Sequence, residues 1–237
     1  MSGEHFYKGS SISPRELLYF STIGEVDAAT VGEGALIIGG KLYWCDGTSL
    51  VAQNDGMQLA SPVWDDLRFP SIGINPPGAA ADPGRSTTTG LLEFSGSADN
   101  TICGVAQMPH SWKEGSALGP HLHLRFPTSA TANTRWKLEY DIASPAGNFT
   151  NNSGTWSDGG TITVANPENV KKHVLADFTD IVMTGKTFST IVLWRITRLA
   201  ASDAADNDTN AVELLEFDIH FEIDSLGSVE EYSKWGA

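Results

Sequence analysis

His121-Leu-His-Leu-Arg-Phe126 closes the stretch Ala106–Phe126, AQMPHSWKEGSALGPHLHLRF, and its alternation decides the fold. In an extended strand successive side chains point to opposite faces. His121, His123 and Arg125 therefore share one face, and Leu122, Leu124 and Phe126 share the other. The apolar face requires a core, and the histidine face is left for contacts or chemistry. The same period recurs in Arg135–Ile142, where Trp136, Leu138, Tyr140 and Ile142 turn inward against Arg135, Lys137, Glu139 and Asp141. It recurs again in Leu214–Asp224, where Leu215, Phe217, Ile219, Phe221 and Ile223 oppose Glu216, Asp218, His220, Glu222 and Asp224.

Working outward, Leu91–Phe94, Thr101–Gln107, Thr161–Val164, Lys172–Phe178, Asp180–Met183 and Thr187–Leu199 read as further β runs. Gly, Pro, Asn and Asp turns separate them. Half-buried strands in this number predict an all-β, antiparallel sandwich. The long, uneven connections favour a jelly-roll-like course over a simple meander. Burying roughly 20 large side chains at ~1.5–3 kcal/mol each supplies the driving force for such a core. Residues 53–90 are expected to be largely irregular, because Ile74–Gly84 (INPPGAAADPG) is too rich in Pro and Gly for regular structure. A loop of that length is expected to pack against a partner.

Upstream lies GALIIGGKLYWCDGTSLVA, Gly34–Ala52. Leu36–Ile38 and Lys41–Cys45 flank Gly39-Gly40, a hairpin signal, and Asp46-Gly47 marks a second turn before Ser49–Ala52. Pro14–Phe20 fits either a short helix or an extended arm. Strands this short are not stable in isolation. The expected organisation is an N-terminal arm and β-meander over residues 1–58, serving attachment or oligomerisation. A jelly-roll-like β-sandwich with a short C-terminal tail is expected over 59–237.

The net charge of −14 argues against a nucleic-acid partner, since phosphate neutralisation needs clustered Lys and Arg and no basic run occurs. Cys45 and Cys103 lie far apart and outside any CxxC spacing, so neither a disulfide framework nor a zinc motif is expected. No apolar run approaches the ~18 residues of a membrane span, and MSGEHFYKGS has neither the basic nor the apolar region of an export signal. The expectation is a protein made in a reducing cytoplasm, with no membrane partner.

Two segments resemble known proteins. Leu42-Tyr-Trp-Cys-Asp-Gly-Thr48 is similar to the LYWxDGT meander near the N-termini of bacteriophage tail-fibre and other virion proteins. Trp64-Asp-Asp-Leu-Arg-Phe-Pro70, Met108-Pro-His-Ser-Trp-Lys-Glu-Gly115 and Pro120-His-Leu-His123 together resemble a domain of phage structural proteins, spanning most of residues 61–224. The resemblance implies a non-enzymatic virion component, a trimeric tail- or head-fibre or spike protein made in the bacterial host cytoplasm. Its partners would be two further copies of itself, other virion proteins and, in a receptor-binding version, a host-surface glycan. No catalytic residue and no cofactor is implied.

Three sets of residues are weighed for a role. Trp112 and Trp156 fall in expected loops, where an indole can stack on a sugar ring. His121, His123, Arg125 and His220 are candidates for an oligomer interface on a sheet face. Gly115-x5-His121-x-His123 also resembles the opening of the first cupin motif, in which two His converge on a metal inside a barrel. The Glu that should follow is replaced by Pro127 and Thr128, so the third ligand is missing and no metal is expected. His220 could join His121 and His123 only if its strand face meets theirs. Adjacent acids such as Asp65-Asp66 and Glu230-Glu231 point apart in extended chain. Neither a nucleophile elbow nor a phosphate-binding loop is present.

Overall fold

The computed structural model describes residues 58–149, 156–167, 172–228, 230, 231 and 234. It also describes the backbone of four N-terminal strands. These strands are β1 (Leu18–Phe20), β2 (Glu33–Ile38), β3 (Lys41–Asp46) and β4 (Leu50–Ala52). They form one sheet in the order β1-β2-β3-β4. β1 pairs parallel to β2, and the other two pairings are antiparallel. Leu18–Phe20 of the ambiguous arm is thus a strand. Gly39, Gly40, Gly47 and Trp235 lie outside the described residues.

The chain divides into two compact units, Ser61–Asp224 and a second comprising Met1–Ala60 with Ser225–Ala237. The first of these is an antiparallel, jelly-roll-like β-sandwich. Its strands are β5 (Gln58–Pro70), β6 (Gly84–Arg85), β7 (Leu92–Phe94), β8 (Asn100–Gln107) and β9 (Leu118–Arg125), followed by β10 (Asn133–Ala143), β11 (Ser157–Ala165), β12 (His173–Asp177), β13 (Ile191–Arg198) and β14 (Val212–Ser225). One sheet runs β11-β10-β13-β8. The other runs β12-β9-β14-β7-β6, with β5 also pairing β14.

The core lies between the sheets. Trp136 and Leu138 of β10 and Val192, Trp194 and Ile196 of β13 meet Leu122 and Leu124 of β9 and Phe217, Ile219 and Phe221 of β14. Trp194 is wedged against Phe69 and Phe217, with ring centroids 5.1 and 4.7 Å away, so one aromatic cluster joins both sheets. The indole fits because Gly104 lies opposite it in the neighbouring strand β8.

Several local expectations change. Gln58–Pro70 is a thirteen-residue strand within the region expected to be irregular. Pro62 and the Asp65-Asp66 pair mask its pattern, in which Leu67 and Phe69 pack on the core. The Pro/Gly loop is fastened within its own chain: Thr101 N donates to Ala81 O at 2.8 Å, and Asn100 Nδ2 donates to Ala81 O and Asp82 O. Asp180–Met183 is not a strand; Ile181 makes a single bridge to Leu118. Thr187–Thr190 is a turn, so β13 begins only at Ile191.

β14 carries a register shift between Leu214 and Glu216 where it pairs with β9. One extra residue in a strand reverses the faces on either side of it. Val212 and Leu214 therefore face the core before the bulge, and Phe217, Ile219 and Phe221 face it afterwards. Leu215, expected in the core, is the inserted residue and is half-buried.

Candidate functional site

The outer face of the six-stranded sheet collects the polar residues of β9, β14, β12 and β5. β9 lies between β12 and β14, and its register sets the arrangement. His121 stands opposite Asp218 on one side and Asp177 on the other, while Arg125 stands opposite Glu213 and His173. The bulge matters here: Glu213 and Asp218 differ in parity and would occupy opposite faces of an uninterrupted strand. With the inserted residue both face outward, Glu213 to pair with Arg125 and Asp218 to meet the histidines.

Asp218 is the centre. It is only 4 % exposed, and three imidazoles surround its carboxylate. His121 Nε2 lies 2.8 Å from Oδ1, His123 Nε2 lies 3.2 Å from Oδ2, and His220 Nε2 lies 3.9 Å from Oδ2. His123 Nδ1 is 2.8 Å from His173 Nε2, with the two rings stacked. His220 Nε2 also pairs with Asp66 Oδ1 at 2.9 Å, and the His121 and His220 ring centroids are 3.9 Å apart. Despite the short approach of His121, Asp218 Oδ1 has no hydrogen bond. Burial pushes the Asp218 carboxyl above the usual carboxylate range, only partly countered by the neighbouring His121, His123 and His220. Burial likewise pushes His121 below the ordinary histidine value; Asp218 opposes this, and His220 and His123 reinforce it.

Beside this cluster opens a pocket of about 490 Å³, lined by Trp64, Pro120, His121, Asp177, Asp180 and His220 among others. Trp64 is 64 % exposed, an unusual state for an indole. The pocket thus offers one bare aromatic face, two carboxylates and imidazole nitrogens within a single concavity.

The structure brings together three of the four residues expected at an interface, His121, His123 and His220, with Arg125 two positions along β9. His123, Arg125 and His220 each have a polar partner inside their own chain, and His121 lies beside Asp218. The condition set for His220 is met: its face is the face of His121 and His123. The cupin-like geometry is not observed, since both β9 histidines point away from the core while Leu118, Leu122 and Leu124 fill it.

Trp112 is not a surface platform. Lys113 N donates to Glu222 O at 2.7 Å and Trp112 bridges Ile223, which folds the loop onto β14 and buries the indole completely. Trp156 is half-buried, with the Arg195 guanidinium 4.8 Å from its ring centre. Sequence reasoning missed Trp64, Asp66 and Asp218 as site residues. Trp64 and Asp66 were legible as alternate positions of a strand, but that strand was read as irregular.

No protein-family model and no curated protein sequence matches the chain. Solved structures are similar to it in fold. One is a family 35 carbohydrate binding module from an environmental isolate, at 11% identity and TM-score 0.35, covering 68% of this chain and 89% of that one. Another is the CBM22-1 xylan-binding domain from Paenibacillus barcinonensis Xyn10C, at 10% identity and TM-score 0.31, covering 70% and 99%. A third is a chain of infectious bursal disease virus Gx strain, at 12% identity and TM-score 0.34, covering 81% of this chain and 39% of that one. At these scores the likenesses say nothing about a ligand for this chain; the sandwich rests on its own strand pairing.

Proposed function

We propose that this chain is a non-enzymatic binding component of a bacteriophage or phage-like virion, a fibre or spike protein whose sandwich takes a host-surface glycan in the Trp64 pocket. The observation that carries the glycan reading is Trp64, two-thirds bare at the rim of a concavity holding Asp177, Asp180 and His220. A sugar ring presents an apolar C–H face that stacks on an indole and hydroxyls that donate to carboxylates. The platform is therefore Trp64, in place of Trp112. The LYWxDGT segment and the Met108–Gly115 and Pro120–His123 motifs support the virion reading. Homotrimerisation belongs to the same reading, by analogy with the fibres these motifs resemble.

Two measurements test it. On a glycan array the protein binds a defined set of sugars, and Trp64→Ala reduces that binding at least tenfold without changing the melting temperature. An absence of glycan binding, or binding indifferent to Trp64, would refute the pocket assignment. Size-exclusion chromatography with light scattering gives three times the chain mass at micromolar concentration; a stable monomer would count against the fibre reading.

A further inference from the structure

We propose that His121, His123 and Asp218 bind one divalent transition-metal ion of the zinc class on the outer face of the sheet. This does not depend on the glycan reading.

The geometry is that of a ligand set. The donor atoms of these three residues all lie within 4.8 Å of one another. Two ligands each about 2.0–2.1 Å from a metal, at angles between 90° and tetrahedral, stand about 2.8–3.4 Å apart. The two His–Asp approaches, 2.8 and 3.2 Å, fall at that spacing. They do not both act as hydrogen bonds: Asp218 Oδ1 is buried and lacks one although His121 Nε2 is its neighbour. A cation between His121 Nε2 and Asp218 would give that buried oxygen the partner it lacks.

The surroundings have the features such a site needs. His123 reaches His173 Nε2 through its other ring nitrogen, Nδ1, at 2.8 Å. With an ion present, His123 donates from Nδ1 to His173, which fixes the tautomer whose Nε2 lone pair faces the metal. His121 lines the pocket and the His123 side chain is 24 % exposed, so an ion has a way in and its remaining coordination positions face solvent. Two imidazoles and one carboxylate suit Zn²⁺, Fe²⁺, Co²⁺ or Ni²⁺, whereas Ca²⁺ and Mg²⁺ require all-oxygen shells.

The test uses the full chain, freed of metal with a chelator and titrated with ZnCl₂ by calorimetry, with CoCl₂ absorption reporting the ligand field. The expected result is one Zn²⁺ per chain, visible-band Co²⁺ absorption displaced by Zn²⁺, and a higher melting temperature with metal. Asp218→Asn, and His121→Ala with His123→Ala, abolish uptake. His173→Ala weakens affinity about 10–100-fold, the usual effect of losing a partner that orients a ligand. Near-UV circular dichroism confirms that each variant is folded, and Glu139→Gln, on the other sheet, binds as wild type. Failure to take up Zn²⁺ at millimolar concentration, uptake unaffected by Asp218→Asn, or equal binding of Ca²⁺ would each overturn the proposal. Glycan binding measured in chelator reads the pocket separately, so failure of one assignment is distinguishable from failure of the other.

Discussion

Replacing Arg198 by Met should cost the sandwich more than a typical substitution, and the structure says why. Arg198 ends β13, is fully buried, and makes five hydrogen bonds. Two go to the Asp206 carboxylate, both at 3.0 Å, and three go to the carbonyls of Phe94, Asn210 and Asp208. The guanidinium thus clamps an end of one sheet to β7 of the other and anchors the acidic loop 202–210. The Asp206 side chain is 1% exposed, so removing Arg198 leaves a buried carboxylate with no counter-charge and the Arg135 N–H as its remaining donor. Breaking a buried pair from one side costs about 3–5 kcal/mol. At about 2–4 °C per kcal/mol for a domain of this size, the melting temperature falls by roughly 6–20 °C. Thermal unfolding followed by near-UV circular dichroism measures it. Adding Asp206→Leu removes the unpaired charge but leaves three carbonyls without the Arg198 donor and the Arg135 N–H without its acceptor, so the double variant recovers only part of the loss. A single variant melting within about 2 °C of wild type, or a double variant no better than the single, would refute the argument.

Other outcomes follow from the same packing. A Cβ on Gly104 would sit 2.1 Å from Trp194 Cζ2, about 1.5 Å inside contact distance. Gly104→Ala therefore costs about 3 kcal/mol by overpacking, and Trp194→Phe partly rescues it in a thermal melt; an unchanged melting temperature would contradict the packing. Trp112→Ala costs about 3–5 kcal/mol as a core deletion, and glycan binding of the surviving folded protein is unaffected. Burial raises the Glu139 carboxyl, but hydrogen bonds and charge from Lys137 and Arg195 outweigh it and hold the group below the ordinary glutamate value. A depressed carboxylate stabilises fully above its unfolded value of about 4.3 and loses that contribution as pH falls through its folded value. Wild type should therefore melt above Glu139→Gln at pH 7, with the gap closing below about pH 4; a gap constant down to pH 3 would refute the assignment.

The periodicity of β9, of β10 and of β14 beyond its bulge was legible because each has one wet and one dry face, and a two-residue alternation needs no knowledge of neighbours. That alone determined an all-β sandwich and placed His121 and His123 together. β5 was hidden, since Pro62 and Asp65-Asp66 have poor strand propensity and only pairing with β14 holds them extended. The buried state of Trp112 depended on a loop folding onto β14, which local composition does not report. The site itself was decided by tertiary structure. Asp218 reaches His121 and His123 only because β14 pairs with β9 in one register, and Glu213 joins the same face only because a residue bulges between them. Alternation along one strand is a local property of the chain. Which side chain lies across from it is a property of pairing between segments far apart, and only the folded sheet sets that.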